Sequence, residues 1–160
     1  MACANKLLRV VNDGYGPSKG TKYSAAVDLY ASEDVIFKVA STHIVGLGVA
    51  ICPEQINKLA PDIREQFLLT HYLALYPRSG LRAKGFIANK GIIDMDYPKE
   101  IKIILKYFPN DPTKHEFYSI KKGDRIAQIM LMRHETGLLN IHTEEERTDG
   151  FGSTDAVKAV

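Results

Sequence analysis

The chain has 160 residues, 45% hydrophobic and 25% charged, with 12 glycines and 7 prolines. At roughly 150 residues per domain this is one domain, long enough to bury roughly 70% of its unfolded surface without disulfides or metals. The composition excludes disordered, collagenous, coiled-coil and disulfide-scaffold chains. Lys plus Arg total 21 against 19 Asp plus Glu, a net charge of +2. That is too weak for a general nucleic-acid binder, so any anionic ligand needs a focused site. No apolar run approaches the roughly 18 residues of a membrane span, and residues 1–11 hold no signal-peptide core. Cys3 and Cys52 have no ligand spacing, which fits a reducing compartment. The expectations are no membrane, no direct nucleic-acid binding, and a cytoplasmic or nuclear location.

In chain order, strands are expected over residues 23–30 and over 43–51, where Gly46 and Gly48 mark bulges or close backbone approach. Residues 54–72 break the β pattern. Ile56, Leu59, Ile63, Phe67 and Leu68 recur at helical spacing, and Pro61-Asp62 stops one short helix and starts another. This insertion is expected to pack Phe67 and Leu68 on the β domain. Residues 99–107 alternate, with Ile101, Ile103, Leu105 and Tyr107 on one face and Lys102 and Lys106 on the other. Residues 125–132 are nearly all apolar, which predicts a strand buried on both sides. Turns recur at Asn12-Asp13-Gly14, Pro109-Asn110-Asp111-Pro112 and Lys122-Gly123-Asp124. Many short strands with regular turns describe an all-β sandwich, jelly roll or barrel. The tail beyond Glu146 is polar and is expected to be mobile until something binds.

Four segments carry chemistry. Tyr76-Pro77-Arg78-Ser79-Gly80-Leu81 combines a fixed turn, a guanidinium fork, a hydroxyl and a glycine that admits close backbone approach. Phosphate oxygens are served by that set. In Gly91-Ile92-Ile93-Asp94-Met95-Asp96-Tyr97, one Asp is expected to point into a site and the other into solvent or a turn. Gly123-Asp124-Arg125-Ile126-Ala127-Gln128 puts a Gln on a buried strand, where it needs a partner from the core backbone or a ligand. Arg147-Thr148-Asp149-Gly150-Phe151-Gly152-Ser153-Thr154 suits an arm closing over a nucleotide.

With Ala25-Ala26-Val27-Asp28-Leu29, these segments resemble, in order, the five motifs of the homotrimeric dUTPase family over nearly the whole chain. The resemblance implies an all-β, jelly-roll-like β-barrel (a β-clip) over residues 1–146, with the helical insertion at 54–72 and a C-terminal arm over 147–160. It implies a homotrimer whose active sites are shared between chains, hydrolysing dUTP to dUMP and pyrophosphate with Mg²⁺. Such a reaction keeps uracil out of DNA and supplies dUMP for thymidylate synthesis. On this resemblance Asp94 activates the attacking water, and Asp28 holds the Mg²⁺ shell through water. Tyr97 lies under the deoxyribose. Residues 87–93, with Asn89, Gly91 and Ile93, form a hairpin that reads uracil through its backbone. Lys102 is a further substrate-binding position. Arg78, Ser79, Gly80 and Gln128 bind phosphate. Phe151 stacks on uracil from a neighbouring chain, Gly152 is a further substrate-binding position, and Arg147, Ser153 and Thr154 grip the γ-phosphate.

The sequence also departs from the family pattern. The base hairpin is one residue short, the fifth motif is shortened, and Asp149 and Asp155 stand near glycine positions of the fifth motif, so weaker or slower arm closure is expected. Two rivals compete with the hydrolase. One is a dCTP deaminase-type enzyme, with Glu100 as the candidate acid. The other is a binding or regulatory protein on the same fold with weakened catalysis.

Overall fold

The computed structural model describes residues 6–147. Among them the chain forms strands β1 (Leu8–Val10), β2 (Val27–Tyr30), β3 (Val35–Lys38), β4 (Thr42–Gly46) and β5 (Val49–Ile51). Helices α1 (Pro53–Asn57) and α2 (Pro61–Thr70) follow, then β6 (His71–Pro77), the single-turn α3 (Ser79–Ala83), β7 (Phe86–Ala88) and β8 (Gly91–Asp94). The last strands are β9 (Lys102–Tyr107), β10 (Phe117–Ile120) and β11 (Arg125–Arg133), before a 3-10 turn at Thr136–Leu139.

β9 shows how the pattern becomes a fold. Ile103, Leu105 and Tyr107 are buried while Lys102, Ile104 and Lys106 are exposed, the period-2 alternation of a strand with one face on the core. All pairings are antiparallel, in four sheets: β2-β11-β6-β8, β4-β9-β7, β1-β5 and β10-β3. The fold is all-β and jelly-roll-like: the strand pattern implies the all-β class, and the family resemblance the jelly-roll form. An aromatic group in the core packs Phe86 edge-on against Phe37 and Tyr118, at 5.0 and 5.1 Å between ring centroids.

The stretch expected as one strand over 43–51 is two. β4 pairs with β9 and β5 with β1, so the chain changes sheet at Leu47-Gly48. Gly48 has φ of +65°, and a Cβ there would lie 2.6 Å from the Cα of Gly14. The backbone crossing requires the glycine. β2 is also shorter than expected, Val27–Tyr30 in place of 23–30.

α2 begins at Pro61, with Asp62 in its first turn, and Phe67 and Leu68 pack against the core while Ile63 and Leu69 face outward. The helical insertion and its packing match expectation. β11 is buried on both sides only in its first half: Leu131 is 49% exposed. β2 pairs with it from Arg125 to Ile129, beyond which only β6 remains beside it, so that end lacks a covering neighbour.

Candidate active site

The candidate residues fall into two separate cavities. The first opens on the four-stranded sheet. Asp28, Gln128 and Tyr76 stand opposite one another across β2, β11 and β6, so their side chains share a face. Asp28 is fixed through its backbone, which exchanges two hydrogen bonds with Ser18 (2.7 and 3.1 Å). Its side chain is 11% exposed and lies between two guanidiniums, Arg78 Nε 3.3 Å from Oδ1 and Arg125 Nη1 3.5 Å from Oδ2. Gln128 Nε2 donates to the carbonyl of Pro77 at 3.5 Å, a long contact that a better acceptor could displace. Asp28, Tyr76, Arg78 and Gln128, with Gly20 and Ser24, line a cleft of about 460 Å³. Arg78 is the last residue before α3, so Ser79 and Gly80 begin a helix turn whose first N–H groups lack intrahelical partners. The cleft thus sets one cation and an amide around one carboxylate, with Arg125 behind that carboxylate and the helix-start N–H groups next in sequence to Arg78, an arrangement suited to a polyanion.

The second cavity, about 330 Å³, is lined by Gly91, Ile93, Asp94, Tyr97, Lys102 and Arg147, with apolar walls from Leu75, Ile101 and Ile103. Its size lies at the lower end for small-molecule pockets, which run from roughly 300 to 1,000 Å³. Both carboxylates reach one cation here: Arg147 contacts Asp94 through Nη2 and Asp96 through Nε, the latter at 3.0 Å. Only Asp94 lines the pocket, while Asp96 lies exposed in the turn that follows, the division expected of the pair. Residues two apart share a strand face, and the strand ends at Asp94, so Met95-Asp96 turns back toward the same cation. Arg147 also lies over the Tyr97 ring, 5.9 Å from its centroid. It therefore sits at the Asp94 end, not in the phosphate cleft.

Residues 87–93 do not form a paired hairpin. β7 is the edge of one sheet and β8 the edge of another, joined through Asn89-Lys90. Two edges meeting at one turn leave backbone N–H and C=O groups that a planar heterocycle can pair with. Asn89 is exposed and lines neither cavity. Phe151, Gly152, Ser153 and Thr154 lie outside the described residues.

Glu100 is committed elsewhere. Its Oε1 accepts from Ser32 Oγ (3.0 Å) and Gly48 N (2.9 Å), and its Oε2 accepts from Asn12 Nδ2 (2.7 Å). It ties the β4–β5 crossing to neighbouring loops, which removes the acid a deaminase needs. Sequence reasoning assigned no role to Arg125 or Tyr76; both were inside quoted motifs, but their facing is set by sheet register. Among the described residues no three His, Cys, Asp or Glu side chains gather as a metal site. The donor set fits Mg²⁺ only at one remove. Asp28, already paired to two cations, can accept hydrogen bonds from metal-bound waters, and Mg²⁺ keeps several waters and binds through phosphates.

An all-β scaffold that separates an arginine–amide cleft from a carboxylate–tyrosine pocket has the shape and donors of a class of proteins that bind phosphorylated small molecules. The comparisons make this particular. The dUTPase family model matches residues 13–155. The deoxyuridine 5'-triphosphate nucleotidohydrolase of Candida glabrata is 33% identical over 147 residues, 88% of this chain and 89% of its own. That of Paramecium bursaria Chlorella virus 1 is also 33% identical, covering 91% and 94%. Among solved structures, Staphylococcus bacteriophage 80alpha dUTPase with dUPNHPP superposes with a TM-score of 0.65 at 20% identity, covering 91% of this chain and 95% of that one. A mutant dUTPase from S. aureus phage phi11, whose structure concerns a structural Mg(II) ion, superposes at 0.63 with 17% identity, covering 91% and 97%. The chain belongs to the dUTPase family.

Proposed function

We propose that this protein hydrolyses dUTP to dUMP and pyrophosphate, with the triphosphate in the Asp28–Arg78–Gln128 cleft and the nucleoside in the Asp94–Tyr97 pocket. The observation that carries this reading is the division of a dUTPase-family chain into two complementary cavities that share no residue. Asp94 is an exposed carboxylate beside a pocket with apolar walls, placed to accept a proton from a water. As that oxygen bonds to the α-phosphorus, the bond to the β-phosphate's bridging oxygen breaks and pyrophosphate leaves. Arg147, on Asp94 in this chain, moves aside for the water. Arg78 and Gln128 donate to phosphate oxygens, stabilising a substrate that carries roughly −4. Bound Mg²⁺ would neutralise phosphate charge, with Asp28 holding its waters.

Uracil selection comes from the facing edges of β7 and β8, whose backbone groups suit its N3–H and O4. Tyr97 lies against the deoxyribose. A buried, unpaired 2′-hydroxyl costs about 1–3 kcal/mol, so UTP is rejected by roughly 5- to 150-fold before any clash. Two disjoint cavities also support sites assembled between chains, as a homotrimer. We place the barrel domain over 1–146 and the arm over 147–160, with Phe151, Ser153 and Thr154 completing the site, and the protein inside the cell, where deoxynucleoside triphosphates are made.

Pyrophosphate release from dUTP, with Asp94→Asn as control, tests the reading. Turnover by the wild type and its loss in the variant are expected. No release, or an equally active variant, would overturn it.

A further inference from the structure

The β2–β11 ladder departs from regular pairing at one point, beside the phosphate cleft. Gln128 faces Asp28 and Ala127 faces Leu29, but Tyr30 is faced by Arg125, not Ile126. One residue of β11 is extra, a bulge, and a bulge re-aims the side chain that follows it. Strand parity makes the consequence definite. With regular pairing Ile126 would share the open face with Gln128, and Arg125 would share the core face with Ala127. With the bulge, Ile126 is 1% exposed and Arg125 joins the row of Tyr30 and Asp28. On its other side β11 stays in register with β6, where the carbonyl of Ile126 accepts the backbone N–H of Arg78 at 3.1 Å.

Asp28 is therefore divided. Arg125 Nη1 takes Oδ2 at 3.5 Å, and Arg78 reaches Oδ1 through Nε at 3.3 Å. A carboxylate free on both oxygens would accept a guanidinium fork side by side. One whose second oxygen is held elsewhere orients an arginine without capturing it, and the remaining N–H groups of that arginine stay available.

We propose that Arg125 is a positioning residue: by holding Asp28 from the far side, it keeps Arg78 oriented yet free to bind the triphosphate. This rests on the cleft being the phosphate half of the site. Arg125→Ala lets Asp28 close on Arg78, so the KM for dUTP should rise about 10-fold while kcat stays within about 2-fold, since Asp94 is untouched. Arg125→Lys, which keeps the charge, should restore most of the affinity. Arg125→Gln repeats the comparison if the alanine strand does not fold. In nucleotide-free protein, NMR should show the Arg78 Nε–H exchanging more slowly with water in Arg125→Ala. An unchanged KM and unchanged exchange would overturn the proposal. So would a parallel fall of kcat and melting temperature that lysine does not rescue, the mark of a merely structural residue. Absence of dUTP turnover in the wild type would defeat the functional reading instead, leaving Arg125 to be judged on the exchange measurement alone.

Discussion

Gly80 is the second residue of α3, and a Cβ there would meet nothing within 4 Å. Neither packing nor a left-handed backbone calls for glycine. Alanine at a helical position is favoured over glycine by about 0.5–1 kcal/mol. Gly80→Ala should therefore raise the melting temperature, by about 2 °C for a domain this size. If the phosphate chain approaches the backbone here, the same variant should raise the KM for dUTP several-fold; calorimetry with steady-state kinetics would show the two effects together. An unchanged KM would remove Gly80 from the site. Tyr97→Ala should narrow the dUTP-to-UTP ratio of kcat/KM by about 5-fold or more, the lower bound set by one unpaired hydroxyl. Arg78 was readable from its local chemistry, Gln128 as an amide on a buried strand, and Asp94 and Tyr97 through the ordered motifs of the family resemblance; all four border the cavities. Arg125 was not readable. Counting alternate residues back from Gln128 puts it on the core face, and only an extra residue in the ladder reverses that.

At the scale of elements, the turn that launches β11 is held by Asp34. Its Oδ1 accepts the backbone N–H of Lys122 at 2.8 Å, ahead of Gly123 at φ +91°. That bond, aided by Lys121, holds the Asp34 carboxyl below its ordinary value of 3.8. A carboxyl depressed on folding adds stability that is fully present above its unfolded value and lost as pH falls through the folded one. Asp34→Asn should lower the urea midpoint at pH 7, and the gap to the wild type should shrink below about pH 3.8. The crossing at Gly48 is stiffer: Gly48→Ala should cost about 2–4 kcal/mol from a strained backbone and a clash with Gly14. Gly91→Ala is its control, with an ordinary 3.4 Å contact to Leu75 Cβ. Strands with one buried face, such as β9, and the proline-started α2 announce themselves in the order of residues. The split of 43–51 between two sheets, and the assignment of β7 and β8 to different sheets, do not. Both depend on which distant strand captures each edge, a long-range choice that periodicity cannot encode.

At the scale of the molecule, the two cavities share no lining residue. On the proposed function, a substrate whose phosphates need one cavity and whose sugar and water need the other would be served by a neighbouring copy, since oligomers of one chain repeat the same contact by symmetry. The two functions can then be broken separately. Arg78→Ala disables the cleft and Asp94→Asn the pocket, and each variant alone should be inactive. Mixed one to one and allowed to exchange subunits, the two variants should regain about a quarter of wild-type activity, because a site drawing one cavity from each of two randomly chosen chains is intact in half of half the cases. Dilution of the wild type should likewise lower its specific activity once the subunits separate. A site complete within one chain predicts the opposite on both counts, a mixture as dead as its parts and a rate per chain indifferent to concentration.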